Sequence, residues 1–328
     1  MSASSYNLML DSDDFTVMSE YDAPEPEAGA YESESELERH LIEILTSQGY
    51  DYLPVHEETD LIDNLRRQLE RLNDIKFTDK EWQRFFKARL AHEGDGIVEK
   101  TRIVQREHVQ LLERDDGSKC NVKLIDKNRV ANNRLQVVNQ YEAHEGAHEN
   151  RYDVTILVNG LPLVHIELKR RGIPLREAFN QIDRYQRDSF WSGCGLYEYV
   201  QLFVISNGTH TKYYSNTTRW RSVTESKGRR RAGRKTSDSF EFTSYWADAR
   251  NKVIADLAPF ARTFLEKRTL LNVLTRYCIL TTEDALMVMR PYQIAATERV
   301  LQRIIYSENN PKLLGTLDAG GYVWHTTG

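Results

Sequence analysis

Polar and apolar residues alternate in the stretch from Arg151 to Lys169, which reads RYDVTILVNGLPLVHIELK. Side chains on a strand point alternately to its two faces, so the alternation predicts two short β-strands. They are joined at Asn159-Gly160, a pair that favours a tight hairpin turn. The pattern therefore predicts a half-buried hairpin in which each strand has one polar and one apolar face.

The turn decides whether the two polar faces coincide. A two-residue loop would set the polar face of one strand against the apolar face of the other. A three-residue loop, in which Gly160 has the positive φ of a bulge, shifts the register by one residue and removes this conflict. We therefore predict the three-residue loop, and with it a cluster of Asp153, Glu167 and Lys169 on one face.

This cluster has the composition of a site for phosphodiester hydrolysis. Two adjacent carboxylates repel unless a cation lies between them, and such oxygen ligands suit Mg²⁺. A lysine beside the metal can position an attacking water and offset charge on a phosphate. Asp153 and Glu167 are therefore candidate Mg²⁺ ligands and Lys169 is a candidate catalytic residue. The alternative is a solvated strand face without a function, because a D…ExK pattern is short and common.

The same residues resemble a known signature. The order Asp153, hairpin, Glu167-Leu-Lys169 resembles the PD-(D/E)xK nuclease motif, with Tyr152 where the generic motif has proline. Together with LFVISNGT further along, the segment is similar to the restriction (R) subunit of type I restriction-modification enzymes. The resemblance implies an α/β fold of the PD-(D/E)xK restriction-endonuclease type, with a mixed sheet flanked by helices.

A helix is predicted after the hairpin, and it contains QIDRY from Gln181 to Tyr185. These two residues are one turn apart and share a face. The segment resembles the QxxxY motif of RecB-like nucleases, which implies that the pair positions the attacking water or the DNA. The alternative is that Tyr185 is an ordinary core tyrosine with Gln181 as its polar neighbour.

The resemblance also implies cofactors and partners. The cofactor is Mg²⁺ and the substrate is duplex DNA. The intact R subunit assembles with modification and specificity subunits and cuts after ATP-driven translocation. Two alternatives stay open: a RecB-like repair nuclease-helicase, and a DNA-binding or assembly module that no longer cuts. The intact set of two carboxylates and a lysine argues against the second.

The first long helix is expected to begin at Ser35. Ser35-Glu-Leu-Glu38 forms a capping box, and an apolar stripe follows until Gly49 ends the helix. In related nucleases the first core helix can supply an acidic residue near the metal, which makes Glu38 a candidate. Its capping role is the structural alternative.

Three further strands are expected to complete the sheet that the hairpin joins. Two of them, at 109–113 and 122–126, are separated by the turn residues Asp115-Asp-Gly117. The third is expected at 135–140.

Histidines and cysteines do not indicate a second metal site. His144 and His148 are four residues apart, but the neighbouring glutamates and Gly146 favour a polar loop. The three cysteines form no CxxC pair. They are Cys120, Cys194 and Cys278.

Charge is distributed unevenly along the 328 residues. The net charge is −5, yet residues 1–38 contain eleven acidic and no basic residues, so the remainder carries +6. The segment 219–235 contains eight Lys or Arg and one Glu, which predicts a flexible loop that attracts phosphates without sequence preference. The candidate DNA contacts in it are Arg229, Arg230, Arg231 and Arg234. A solvated loop is the alternative.

The C-terminal segment has a different resemblance. MRPYQIAATERVLQRII is similar to the opening of a superfamily 2 helicase domain, which implies that Gln293 recognises adenine. GGYVWHTTG, at 320–328, resembles the first half of helicase motif I. The sequence ends before SGK[ST], which is the second half of this motif. We therefore expect that this chain, as given, neither hydrolyses ATP nor translocates on DNA.

These segments predict a division of the chain. It comprises an acidic leader at 1–34, an endonuclease domain at 35–260, a helical linker at 261–285 and the start of a RecA-like motor domain at 286–328. The chain contains no apolar run long enough to span a membrane. A cytoplasmic location is therefore expected.

Overall fold

A computed structural model of the chain describes residues 11–12, 15–16, 32–55, 57–143, 150–190, 193–216, 240, 242–317 and 319–322. The strands in these residues are β1 (Asp11–Ser12), β2 (Phe15–Thr16), β3 (Asp51–Tyr52), β4 (Val109–Glu113), β5 (Lys119–Lys123), β6 (Leu135–Ala143), β7 (Asn150–Val158), β8 (Leu161–Leu168), β9 (Leu202–Ser206), β10 (Thr211–Ser215), β11 (Trp246–Ala247), β12 (Val253–Ile254), β13 (Cys278–Leu280) and β14 (Leu286–Val288).

The α-helices are α1 (Glu34–Ser47), α2 (Glu58–Asn73), α3 (Asp79–Phe85), α4 (Ile97–Gln105), α5 (Leu175–Asp188), α6 (Leu257–Thr263), α7 (Lys267–Thr275) and α8 (Pro291–Asn309). None of the helices described is long and apolar enough to cross a membrane.

A mixed sheet lies at the centre of the fold, with the described strands in the order β10-β9-β8-β7-β6-β3. The pairs β8–β9 and β3–β6 are parallel, and the other pairs are antiparallel. Helix α5 packs against β8 and β9, and α1 contacts β3 and β8. The predicted mixed α/β architecture, a sheet flanked by helices, is confirmed.

The β7–β8 hairpin has the predicted shift of register but not the predicted loop. Asn159 and Gly160 form a two-residue turn with φ of 49° and 86°, and Val158 pairs with Leu161. The register changes inside the strands, where Leu163 is the additional residue of a β-bulge. The neighbouring Pro162 has no backbone N–H to donate to a ladder, which favours a bulge at this point.

The hairpin is also more deeply buried than the alternation predicted. Every residue of β8 is buried, and so is every residue of β9. Both faces of these strands are therefore covered, as is usual for the interior of a sheet with helices on its two sides. The prediction of a half-buried hairpin was wrong, and the polar residues of β8 lie inside the protein.

The expected strands around 109–140 were correct only in part. Strand β4 lies at the predicted position, and β6 includes and extends the predicted 135–140 strand. The partner of β4 is β5, three residues earlier than predicted, and the two form a separate two-stranded sheet. It packs against α2 and α3 instead of extending the central sheet.

Helix α1 begins at Glu34, one residue before the predicted start, and its N-cap lies two residues before the predicted one. Its N-cap is Ser33, and the capping box is completed by Glu36, whose carboxylate accepts a hydrogen bond from the Ser33 N–H at 2.8 Å. The predicted box of Ser35 and Glu38 was wrong. Both pairs fit the S-x-x-E pattern, and Glu38 is instead buried against β6.

The segment after β12 contributes to the same hydrophobic core. Phe260, Phe264 and Leu270 are fully buried and belong to the core cluster that also contains the strands of the central sheet. The boundaries of the predicted domains remain predictions. The basic segment 219–235, His144 and His148 lie outside the described residues.

Candidate active site

The three residues predicted to form a site lie together at the end of the β7–β8 pairing. The last recorded pair of this ladder is Val154 with Ile166. Beyond this pair, one residue along β7 and two along β8, the Leu168 N–H donates to Asp153 Oδ2 at 2.9 Å. A side-chain carboxylate thus takes the place of a backbone carbonyl as the acceptor. Lys169 Nζ donates to Glu167 Oε1 at 3.1 Å.

The lysine is held by groups from the sheet and from α1. Its ammonium also donates to the Leu168 carbonyl at 2.9 Å and lies 4.0 Å from Glu34 Oε2. Glu34 is the first residue of α1 and was not among the predicted site residues. The signal that could have found it is the capping box at Ser33, which places this acidic residue at the helix start.

Burial dominates the electrostatics of the two carboxyl groups. It raises the pKa of Asp153, and the neighbouring charge of Glu167 raises that pKa further. It also raises the pKa of Glu167, which is completely buried, and the attraction of Lys169 offsets only part of this effect. Without a cation the pair therefore tends to retain a proton near neutral pH.

His165 is a further site residue that the sequence analysis did not identify. It precedes Glu167 by two residues on β8, and its Nε2 lies 3.4 Å from Glu167 Oε2. Its Nδ1 lies 3.3 Å from Thr155 Oγ1 on β7. Burial lowers the pKa of His165 to about 4, so the imidazole is neutral at physiological pH.

Gln181 and Tyr185 are linked to the carboxylate strand by a chain of hydrogen bonds. Gln181 Nε2 donates to the Tyr185 hydroxyl at 2.5 Å, and this hydroxyl donates to the Arg151 carbonyl at 2.9 Å. Arg151 precedes Asp153 by two residues on β7. Burial raises the pKa of the Tyr185 hydroxyl, and the charges of Glu167 and Asp153 act in the same direction. The tyrosine is thus both a core residue and a neighbour of the site.

Glu38 lies beside the next strand of the sheet. It is 8% exposed and accepts hydrogen bonds from Asn139 Nδ2, at 2.6 Å, and from Gln140 Nε2. Asn139 pairs with Val154, the neighbour of Asp153. The contacts described for Glu38 therefore join α1 to β6 next to the site, and its direct role at a metal stays a prediction.

The donor set fits a divalent cation that is only partly ligated by protein. Glu167 Oε2 is buried and accepts no hydrogen bond from the residues described. A carboxylate oxygen left in this state beside a second carboxylate is stabilised by a cation. The part of the chain that the structure describes holds no group of three or more His, Cys, Asp or Glu suited to a metal. An ion held by Asp153 and Glu167 would complete its shell with water and phosphate oxygens, as Mg²⁺ does.

The predicted nucleotide contact has a structural role in the fold. Gln293 Oε1 accepts a hydrogen bond from the Arg290 N–H at 2.8 Å and so caps the start of α8. A role in recognising adenine stays a prediction. The predicted DNA contacts lie outside the described residues, and they are Arg229, Arg230, Arg231 and Arg234.

A buried and a half-buried carboxylate lie beside a lysine at the ends of neighbouring strands, on a mixed sheet flanked by helices. This arrangement is expected of a metal-dependent nuclease domain. Residues 31–222 match the family described as type I restriction enzyme R protein N terminus. The chain belongs to this family of R proteins, the endonuclease subunits of type I restriction enzymes.

Relatives of different lengths match the chain. The type I restriction enzyme EcoprrI endonuclease subunit of Escherichia coli is 44% identical, covering 97% of this chain and 96% of the relative. The SsaAORF53P endonuclease subunit of Staphylococcus saprophyticus is 38% identical over 91% of this chain, which corresponds to 29% of the relative. A putative MjaIXP endonuclease subunit of Methanocaldococcus jannaschii is 33% identical over 34% of this chain and 11% of the relative.

Proposed function

We propose that this chain carries the nuclease site of a type I R protein and hydrolyses phosphodiester bonds in duplex DNA with Mg²⁺. The observation that carries the proposal is that Asp153, Glu167 and Lys169 lie close together. The lysine ammonium contacts Glu167 Oε1 at 3.1 Å. Glu167 is completely buried and Asp153 is half-buried, and Glu167 Oε2 has no described hydrogen-bond partner.

Asp153 and Glu167 would hold the cation. When bound, Mg²⁺ polarises the phosphate and makes water a better nucleophile. Lys169, kept at the site by Glu167 and the Leu168 carbonyl, orients the attacking water and offsets charge that develops on the phosphate. A bond forms between the water oxygen and phosphorus, and the bond from phosphorus to the leaving oxygen breaks. One water proton goes to solvent and the leaving oxygen gains a proton, so one product ends in a phosphate and the other in a hydroxyl.

Gln181 and Tyr185 position the carboxylate strand in this proposal. The Tyr185 hydroxyl donates to the Arg151 carbonyl at 2.9 Å, where β7 has passed the last recorded pair of its ladder with β8. This end of β7 still pairs with β6, where Arg151 lies opposite Glu142, so another anchor is needed only on the side of β8. The hydroxyl supplies one two residues from Asp153, so it limits movement of this carboxylate.

The wider activity is proposed from the family. The longer relatives extend well beyond the matched segment, and the subunit would act with modification and specificity subunits. DNA cleavage would be coupled there to ATP-dependent translocation. In this proposal residues 286–328 begin the motor domain and Gln293 contacts adenine. The residues that contact phosphates are Arg229, Arg230, Arg231 and Arg234.

Cleavage by the R subunit reconstituted with modification and specificity subunits tests the proposal. Asp153→Ala, Glu167→Ala and Lys169→Ala should each slow cleavage by about 10²-fold or more, because a metal ligand or a charge-stabilising group is lost. The matched control is Lys87→Ala, at an exposed lysine of the helical segment after α3, which should cut at the wild-type rate. A folded Glu167→Ala subunit that cuts as fast as the wild type would refute the assignment and favour a module that only binds DNA.

A further inference from the structure

We propose that His165 is a positioning residue for Glu167: its Nε2–H faces Glu167 Oε2 and holds the carboxylate in the orientation that receives the cation. This inference rests on the proposed function, since it requires that Glu167 be a metal ligand. His165 would not touch the cation or the DNA.

The two atoms concerned are complementary, and neither has another hydrogen-bond partner in the part of the chain that the structure describes. His165 Nε2 and Glu167 Oε2 are both buried, and neither makes a hydrogen bond to the residues described. They lie 3.4 Å apart, and both side chains are completely buried. A buried donor and a buried acceptor without partners are unfavourable, so a small movement that joins them stabilises the protein. A carboxylate oxygen has two lone pairs, so Oε2 can accept this hydrogen bond and still bind the cation.

Aromatic rings enclose the imidazole and define its orientation. Tyr152, Tyr185, Phe190 and Phe203 all meet it edge-on, with centroid distances of 5.6, 6.1, 5.6 and 6.4 Å. A buried ring surrounded in this way cannot swing out to solvent without disturbing the core. The imidazole is thus a rigid support, as required of a residue that orients a metal ligand.

In this proposal Thr155 selects the tautomer of His165 by donating its hydroxyl proton to Nδ1. Its Oγ1 lies 3.3 Å from His165 Nδ1, and Thr155 is 1% exposed. A neutral imidazole carries one N–H, so a threonine hydroxyl that donates to Nδ1 leaves the proton on Nε2. The Nε2–H then points to the carboxylate, and Thr155, His165 and Glu167 form a relay across β7 and β8.

The relay and the lysine act on different oxygens of the Glu167 carboxylate. Lys169 Nζ contacts Oε1 and His165 Nε2 faces Oε2, so the carboxyl plane is constrained at both oxygens. A ligand that is already oriented loses less freedom when the cation binds. Partners of this kind usually change metal affinity or activity by about 10–100-fold when they are removed.

Direct titration of the 328-residue chain with Mn²⁺, followed by calorimetry, tests the relay without any cleavage assay. His165→Phe keeps a ring in the aromatic enclosure but removes both nitrogens, and it should raise the Kd of Mn²⁺ by about 10-fold or more. His165→Gln restores an N–H donor and should recover most of the affinity. Thr155→Val should raise the Kd by a smaller factor, because the tautomer is no longer selected.

Phe260→Leu is the matched packing control. Phe260 of α6 is fully buried in the same core, and its ring contacts Phe264. The variant should lower the thermal midpoint measured in EDTA and leave the Kd of Mn²⁺ unchanged. A Kd that rises as much in Phe260→Leu as in His165→Phe would overturn the positioning role and make His165 a packing residue.

Two further outcomes separate this inference from the proposed function. Wild-type Mn²⁺ affinity in His165→Phe, together with lost binding in Glu167→Ala, would overturn the inference and leave the function standing. Wild-type affinity in both Glu167→Ala and Asp153→Ala would refute the metal site itself. Should His165→Phe fail to fold, Thr155→Val decides, since an unchanged Kd in that variant would overturn the relay.

Discussion

Glu167→Gln should make the metal-free protein more stable at alkaline pH, although it removes a residue of the active site. The carboxyl group is completely buried, and burial raises its pKa from the ordinary 4.5 to about 7. The folded state therefore binds this proton more tightly than the unfolded chain does. Stability that the group contributes at acidic pH is lost as the pH rises from about 4.5 through 7.

The size of the effect follows from the same shift. A rise in pKa from 4.5 to about 7 means that ionising Glu167 costs the folded state about 3 kcal/mol. Glutamine has the same shape and no charge to desolvate. It also relieves the repulsion that raises the pKa of Asp153. We therefore expect a gain of up to about 3 kcal/mol at pH 8 and of less than about 1 kcal/mol at pH 5.

Urea unfolding in EDTA at the two pH values measures this difference between wild type and variant. Glu43→Gln is the control, because this glutamate of α1 is exposed and water solvates its charge in both states. It should show no pH-dependent change. A Glu167→Gln protein that is less stable than the wild type at pH 8, or a difference that is the same at both pH values, would refute the reasoning. Addition of Mg²⁺ at pH 8 should then stabilise the wild type more than the variant.

Three further predictions concern the turn, the helix and the basic segment. Gly160→Ala should destabilise the fold by at least about 2 kcal/mol in urea unfolding, since its φ is 86° and a Cβ would lie 2.6 Å from Leu65 Cα. Tyr185→Phe should keep the fold but slow DNA cleavage, because the ring stays and the anchor of the Arg151 carbonyl is lost; unchanged cleavage would make Tyr185 a core residue only. Replacing Arg229, Arg230, Arg231 and Arg234 together should make the salt dependence of DNA binding shallower by about 0.9 per lost contact, and an unchanged slope would leave the 219–235 segment a solvated loop.

Amphipathic alternation was sufficient to predict the register of the hairpin. It did not predict where in the hairpin the additional residue lies. A one-residue slip moves every side chain to the other face, so the polar residues alone determine which register is possible. The additional residue could lie in the loop or in either strand without changing that result. The bulge is in β8 at Leu163, and the available signal was Pro162, which cannot donate to the ladder.

Burial of the hairpin could not be predicted from the same alternation. Polar residues at every second position normally indicate a solvated face. Here Thr155, His165 and Glu167 are all buried, at 1%, 0% and 0% exposure. Their polar groups face one another and the proposed cation instead of solvent. A pattern that seems to describe a surface strand can therefore arise from a buried site whose polar groups are mutual partners.

Which glutamate of α1 lies beside Lys169 depends on a helix start that the local sequence leaves ambiguous. Ser33 and Ser35 each have a glutamate three residues later, so either pair can form a capping box, and the apolar stripe of α1 is the same in both cases. Contacts far along the chain distinguish them, because Glu38 receives hydrogen bonds from Asn139 and Gln140 on β6. A glutamate buried in that way cannot also close the cap. The box consequently forms at Ser33, and Glu34 rather than Glu38 comes to lie 4.0 Å from the lysine.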